Sequence, residues 1–130
     1  MAIVVDTDIL IDLLREKEYA VLKIEELEKK QELATTDINA FELYFGAYNS
    51  SKKERNIVSA KGLLKTLILL HTNEDIMETA GRIFSEMRAK GKMIEIRDLL
   101  IAAITLQNGY KLLTNNRDHF IWIDGLALYE

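Results

Sequence analysis

The chain contains no cysteine, no proline, two histidines and a single tryptophan. Without cysteine, disulfides, zinc–thiolate centres and cysteine nucleophiles are excluded. His71 and His119 are too few for a histidine-rich metal centre. Any metal would be held mainly by oxygen, which points to Mg²⁺ or Mn²⁺. Long apolar runs are missing too. The opening MAIVVDTDIL turns acidic too soon for a secretory signal, and no stretch is long enough to cross a bilayer. The expected compartment is the cytoplasm. Nor is there an excess of cations: the formal net charge is −4, which does not advertise a nucleic-acid binder. Carboxylates that hold a metal, however, keep a site negative only until the ion inverts the local field. Basic clusters exist at Lys52-Lys53-Glu54-Arg55 and around Arg88, Lys90 and Lys92; each reads first as a solvated helix face.

What is present suits one α/β domain over residues 1–130. The 48% hydrophobic and 29% charged content is that of a globular chain, and no linker, repeat or low-complexity tract interrupts it. Ile3-Val4-Val5 reads as a buried strand, followed by a short helix over Ile9 to Leu14 with Asp8 or Thr7 as its cap. Val21, Leu22, Ile24 and Leu27 mark a helix from about Ala20 to Lys30. Leu33-Ala34-Thr35 is a second strand, and Thr36 or Asp37 caps the helix that carries Phe41, Leu43, Tyr44 and Tyr48. Lys53 to Lys65 is helical, and Leu67 to Leu70 a third strand. In the helix from Asn73 to Arg88, Ile76, Met77, Ala80, Ile83, Phe84 and Met87 form the expected inner face. Leu99 to Leu106 is apolar nearly all round and should be the most buried helix. Lys111 to Thr114 is a fourth strand, and either Ile121–Ile123 or Leu126–Tyr129 a fifth. Strands alternating with helices predict a mostly parallel sheet covered on both faces, a three-layer α/β/α fold.

In such sheets ligands bind at the carboxyl edge, where strand order reverses. Asp6 and Asp8 follow the first strand, Asp37 and Glu42 the second, and Asn116 and Asp118 the fourth. A crossover helix runs antiparallel to the strand it feeds, so Asp98, at the start of its helix, reaches the same edge. Asp8, Asp37 and Asp98 also suit capping or dipole roles, each worth about 0.3–1 kcal/mol. Asp6 ends a buried strand. Glu42 lies between Phe41 and Leu43 on the helix face of Ile38 and Phe45. Burying an unpaired charge there is costly, so Glu42 needs a partner or a metal. The convergence is that of a site.

These segments resemble the PIN-domain nucleases, most closely the VapC-type toxins of prokaryotic toxin–antitoxin pairs. Val4-Val5-Asp6-Thr7-Asp8-Ile9-Leu10-Ile11-Asp12 is similar to the family's first motif, with Asp6 as its acid. Asn39-Ala40-Phe41-Glu42-Leu43 resembles the second, with Glu42 as its acid, and Arg97-Asp98-Leu99-Leu100-Ile101-Ala102-Ala103 the third, with Asp98. Leu113-Thr114-Asn115-Asn116-Arg117-Asp118-His119-Phe120 resembles the closing motif. The ordered set, spanning nearly the whole chain, is what carries the likeness. It implies a metal-dependent endoribonuclease, usually a homodimer, acting on RNA and restrained by a cognate antitoxin. It further implies that Asp6 and Asp98 hold Mg²⁺ or Mn²⁺, with Glu42 completing the site. Thr7 and Thr114 would hydrogen-bond to a carboxylate or to the phosphate. Many members carry a fourth acid where this chain has Asn116; others have Asn. Asp118, two residues on, or Asn116 acting through water are both open as its replacement.

Two other phosphate-handling classes begin with acids after the first strand. A haloacid-dehalogenase-type enzyme would place Thr or Val where Leu10 stands. A receiver domain needs an Asp where His71-Thr72 follow the third strand. The remaining alternative is a catalytically impaired PIN-like module that binds RNA or protein. Tyr44, Phe45 and Tyr48, with the basic stretch after them, form an amphipathic region suited to an antitoxin helix or a second protomer, although for tyrosines at helical spacing the core is the commoner place.

Overall fold

The computed structural model describes residues 1–130. Five strands, β1 (Ala2–Val5), β2 (Glu32–Thr36), β3 (Ile68–Leu70), β4 (Lys111–Leu113) and β5 (Ala127–Leu128), form one sheet in the order β3-β2-β1-β4-β5. Every neighbouring pair is parallel, with Ile3 opposite both Leu33 and Lys111. The helices are α1 (Thr7–Leu14), α2 (Glu18–Glu28), α3 (Asp37–Tyr48), α4 (Lys53–Leu64), α5 (Glu74–Ala89) and α6 (Ile96–Gln107), with a single 3-10 turn at Arg117–His119. Of the two candidates for the fifth strand, the segment within Leu126–Tyr129 takes the place beside β4. Ile121 and Trp122 lie instead in an exposed turn.

Side chains on successive strand residues point to opposite faces, and the sheet divides its apolar residues accordingly. Ala2, Val4, Ala34 and Leu112 pack with α5 and α6 in a core of 16 buried residues. Ile3, Val5, Leu33 and Leu113 pack with α1 to α4 in a second core of 10. The expected three layers result. In α5, Ile76, Ala80, Ile83 and Met87 are buried, whereas Met77 and Phe84 are 43% and 40% exposed. Leu22 of α2 is likewise 56% exposed. The apolar stripe read from the sequence is therefore wider than the face each helix turns to the sheet.

Helix ends follow local chemistry. Asn73 caps α5 by accepting from the Ile76 amide at 2.9 Å. Gly109 (φ +70) closes α6, with the Tyr110 amide reaching back to the Thr105 carbonyl at 3.1 Å, a left-handed stop that glycine adopts without strain. α3 is capped by Thr36, in a reciprocal box with Asn39. α1 is capped by Asp6 rather than by Thr7 or Asp8: the helix begins at Thr7, two residues before the apolar pattern starts, and Asp6 accepts from the Thr7 amide.

Candidate active site

β1 lies between β2 and β4, so the strand order reverses at its carboxyl end, where open α/β sheets form their crevice. Asp6 occupies that point and is only 5% exposed. Three donors hold its carboxylate. The Thr7 amide and Asn39 Nδ2 donate to Oδ1 at 2.8 and 3.0 Å, and Thr114 Oγ1 donates to Oδ2 at 2.7 Å. Thr114 comes from the end of β4 and Asn39 from the first turn of α3, so three segments fix one side chain.

Asn39 is the hub of this arrangement. It is fully buried, and its Oδ1 accepts from the Thr36 amide and hydroxyl at 3.2 and 2.7 Å. Its Nδ2 donates both to Asp6 and, at 2.8 Å, to Thr7 Oγ1. The Thr7 hydroxyl, so oriented, donates to Glu42 Oε1 at 2.5 Å. Glu42 also lies 3.6 Å from the Arg97 guanidinium. Asp98, in the first turn of α6, has Oδ2 at 2.9 Å from His119 Nδ1. Asp98 and His119 line a cleft of about 480 Å³ together with Asp118 and the segment Met93–Glu95.

The profile of the PIN domain family matches residues 3–125. The chain belongs to that family. Ribonuclease VapC19 of Mycobacterium tuberculosis is 31% identical over 117 residues, spanning 89% of this chain and 90% of that protein. A tRNA(fMet)-specific endonuclease VapC of Salmonella typhimurium is 28% identical over 98 residues, 75% of this chain and 74% of that one. Among solved structures, VapBC2 from Rickettsia felis bound to a DNA fragment from their promoter superposes with a TM-score of 0.92 at 28% identity, covering 99% of this chain and 98% of that one.

In this PIN domain the rim acids fall into two groups. Glu42 and Asp98 are each pushed above the usual carboxylate range, first by burial. The Thr7 hydrogen bond and Arg97 oppose this at Glu42, and His119 opposes it at Asp98, while the charge of Asp6 adds to it at both. Both therefore lie within electrostatic reach of Asp6. Asp8 and Asp37 do structural work instead. Asp8, raised by burial and by Asp6, accepts from the Asn115 amide at 2.9 Å and ties the loop after β4 to α1. Asp37 accepts from the Thr72 amide and hydroxyl at 2.9 and 3.0 Å, joining α3 to the end of β3.

At the fourth motif, the Asn116 amide donates to Thr114 Oγ1 at 3.0 Å and Asn116 is exposed. Asp118 is exposed too, but it lines the cleft with Asp98. Three residues with evident roles lay outside the sequence-based site: Asn39, Arg97 and His119. For Asn39 the signal was Thr36 three residues earlier, the spacing of a capping box. Arg97 and His119 carried no comparable local sign.

The donor set fits a divalent cation in its chemistry. A hard ion prefers carboxylate oxygen, and positive charge would relieve two half-buried acids that burial and a neighbouring carboxylate hold above their usual range. No three acidic or imidazole side chains stand close enough together to enclose an ion. Glu42 and Asp98 are turned instead to Thr7, Arg97 and His119.

Proposed function

We propose that this PIN domain is an endoribonuclease, the toxin of a type II toxin–antitoxin pair, dependent on Mg²⁺ or Mn²⁺ held by Asp6, Glu42 and Asp98. The observation that carries the reading is the relay from buried Asn39 through half-buried Thr7. It fixes Asp6 at the strand-order reversal and points Glu42 at the same crevice. A relay of polar groups aimed at an acid serves a site better than it serves a helix end. The relatives named ribonuclease support the activity, and the VapBC likeness supports a cognate antitoxin as partner.

When bound, a divalent cation supplies charge neutralisation at the phosphoryl oxygens and acidifies water for attack. The chain's own residues do the rest. Asp6, locked by its three donors, keeps one carboxylate orientation and needs no rearrangement as the substrate arrives. Asp98, in the first turn of α6 and paired with His119, would supply the second carboxylate to the ion. Glu42, which accepts from the Thr7 hydroxyl and lies beside Arg97, would complete the carboxylate set or orient the attacking water. Arg97 at the rim both restrains Glu42 and offers a guanidinium to phosphate. Thr114 couples the loop bearing Asn116 to Asp6, so either Asn116 or Asp118 is within that loop's reach as the fourth polar group.

The exposed side of α3 supports a homodimer. Phe41 and Phe45 stack with ring centroids 6.3 Å apart, and with Tyr48 they are 57%, 58% and 59% exposed. Tyr44, in contrast, is half-buried and packs against the core. No helix is long and apolar enough to cross a membrane.

The test is incubation of the purified protein with labelled RNA and single-stranded DNA, in Mg²⁺, Mn²⁺ or EDTA, beside Asp6→Asn. The expected result is metal-dependent cutting of RNA that the variant lacks. No cutting of any RNA by folded, antitoxin-free protein would favour a PIN-like binding module instead.

A further inference from the structure

We propose that the surface joining the end of α5 to the turn after the 3-10 helix is the path of single-stranded RNA flanking the scissile phosphate, with Trp122 as a base-stacking platform and Lys92 as a phosphate contact. The proposal rests on the ribonuclease reading above and assigns the substrate a direction across the protein. The cleft that begins at Asp98 opens onto Met93, which is 93% exposed. Lys92, next in the chain, places its Nζ 4.0 Å from the centre of the Trp122 ring, and that ring is 47% exposed. The turn carrying Trp122 is stapled down, because Lys90 Nζ donates to the Trp122 carbonyl at 3.0 Å and pairs with Asp124 at 2.9 Å.

The strip therefore combines a held aromatic ring, exposed apolar neighbours Met93 and Ile121, and the Lys92 ammonium over the ring. An aromatic face beside a cationic groove is what sequence-tolerant single-strand binding uses, with bases on the ring and phosphates on the lysines. A duplex hides its base faces and gains nothing from Trp122. The chemistry also sorts along the strip. Glu95 and Asp118, on the cleft walls, repel bare phosphate but accept from base amino groups. The backbone is thereby directed to the lysine side. The Lys92 ammonium needs no fixed partner, so it can exchange the ring for a phosphate as a base takes its place.

Trp122 is the only tryptophan, so its emission reports occupancy of this surface alone. The strip binds without the active-site cation. A short single-stranded oligoribonucleotide is therefore titrated into the native protein in EDTA, with anisotropy of a labelled copy read in parallel. Saturable quenching of Trp122 at the same RNA concentration as the anisotropy rise is expected. Trp122→Ala should bind roughly 5- to 100-fold more weakly. Lys92→Gln, at a half-exposed position, should lower the slope of log affinity against log salt by about 0.7. RNA bound with unmoved emission, or at undiminished affinity by both variants, overturns the proposal and leaves the strip to a protein partner. Absent binding in EDTA also overturns it, and cleavage in Mg²⁺ by the same protein would show that the ribonuclease reading survives. Neither binding nor cleavage would bring down both.

Discussion

Replacing Asn39 by alanine removes four side-chain hydrogen bonds: two accepted from Thr36 and two donated, to Asp6 and Thr7. The bond to the Asp6 carboxylate is worth about 1.5–3 kcal/mol and each of the others about 0.5–1.5 kcal/mol. The Thr36 amide, fully buried, loses its partner in the capping box, which adds to the cost of leaving a donor unsatisfied. Bonds that share one side chain do not add fully, so a net loss of about 3–5 kcal/mol is expected. In urea unfolding, this appears as a midpoint lowered by roughly 2 M at unchanged slope. Asn39→Asp separates geometry from packing. It keeps the shape but turns the 3.0 Å donor contact with Asp6 into two facing acceptors. Two charges at that distance repel by about 5 kcal/mol at an effective dielectric of 20. The Asn39→Asp variant should therefore lose stability as pH rises through and above the carboxylate range, and recover it in acid. A loss below about 1 kcal/mol for Asn39→Ala, on the scale where a single hydrogen bond sits, would refute the idea that Asn39 organises the rim.

Glu42 is held above the usual carboxylate range by burial, so the fold favours its neutral form. The ionised form then costs stability at neutral pH, and the cost vanishes once folded and unfolded chains both hold the proton. In EDTA, Glu42→Gln should accordingly melt a few degrees above the native protein at neutral pH and level with it below about pH 4, while losing cleavage; a lower melting temperature at neutral pH would contradict this. Phe45→Ser removes an exposed ring, 58% accessible in one chain. It should change monomer stability by no more than about 0.5 kcal/mol yet shift sedimentation from dimer to monomer, and an unaltered dimer would place the interface elsewhere.

Much of this architecture could be read from the residues because the signals were local. An apolar run ending in Asp6 gives a buried strand with an acid at its carboxyl end. Alternation of strands and helices gives a parallel sheet, and from that the placing of Glu42 and Asp98 on helices that start at its carboxyl edge follows by direction alone. What escaped depends on contacts between distant segments. Met77, Phe84 and Leu22 have helical spacing on the apolar stripe, but they lie off the buried face of their helices. Ile121–Ile123 is as apolar as the true last strand, and only pairing of Ala127 and Leu128 with β4 decides between them. Asn39 carries at most the Thr36-x-x-Asn39 spacing as a local sign, while its reach to Asp6, 33 residues away, is a property of the packed crevice. His119 meets Asp98 for the same reason, through the 3-10 turn that folds the loop after β4 back onto α6.

The claim at the centre of this account is that Asp6 and Asp98 hold the ion on which cleavage depends. Mn²⁺ binding by electron paramagnetic resonance, with RNA cleavage followed on the same samples, tests it most directly in the native protein, Asp6→Asn and Asp98→Asn. Both variants should retain the native circular dichroism spectrum, bind Mn²⁺ at least about tenfold more weakly, as for the loss of a metal-orienting group, and fail to cut RNA. Native Mn²⁺ affinity and undiminished cleavage in both folded variants would contradict the assignment.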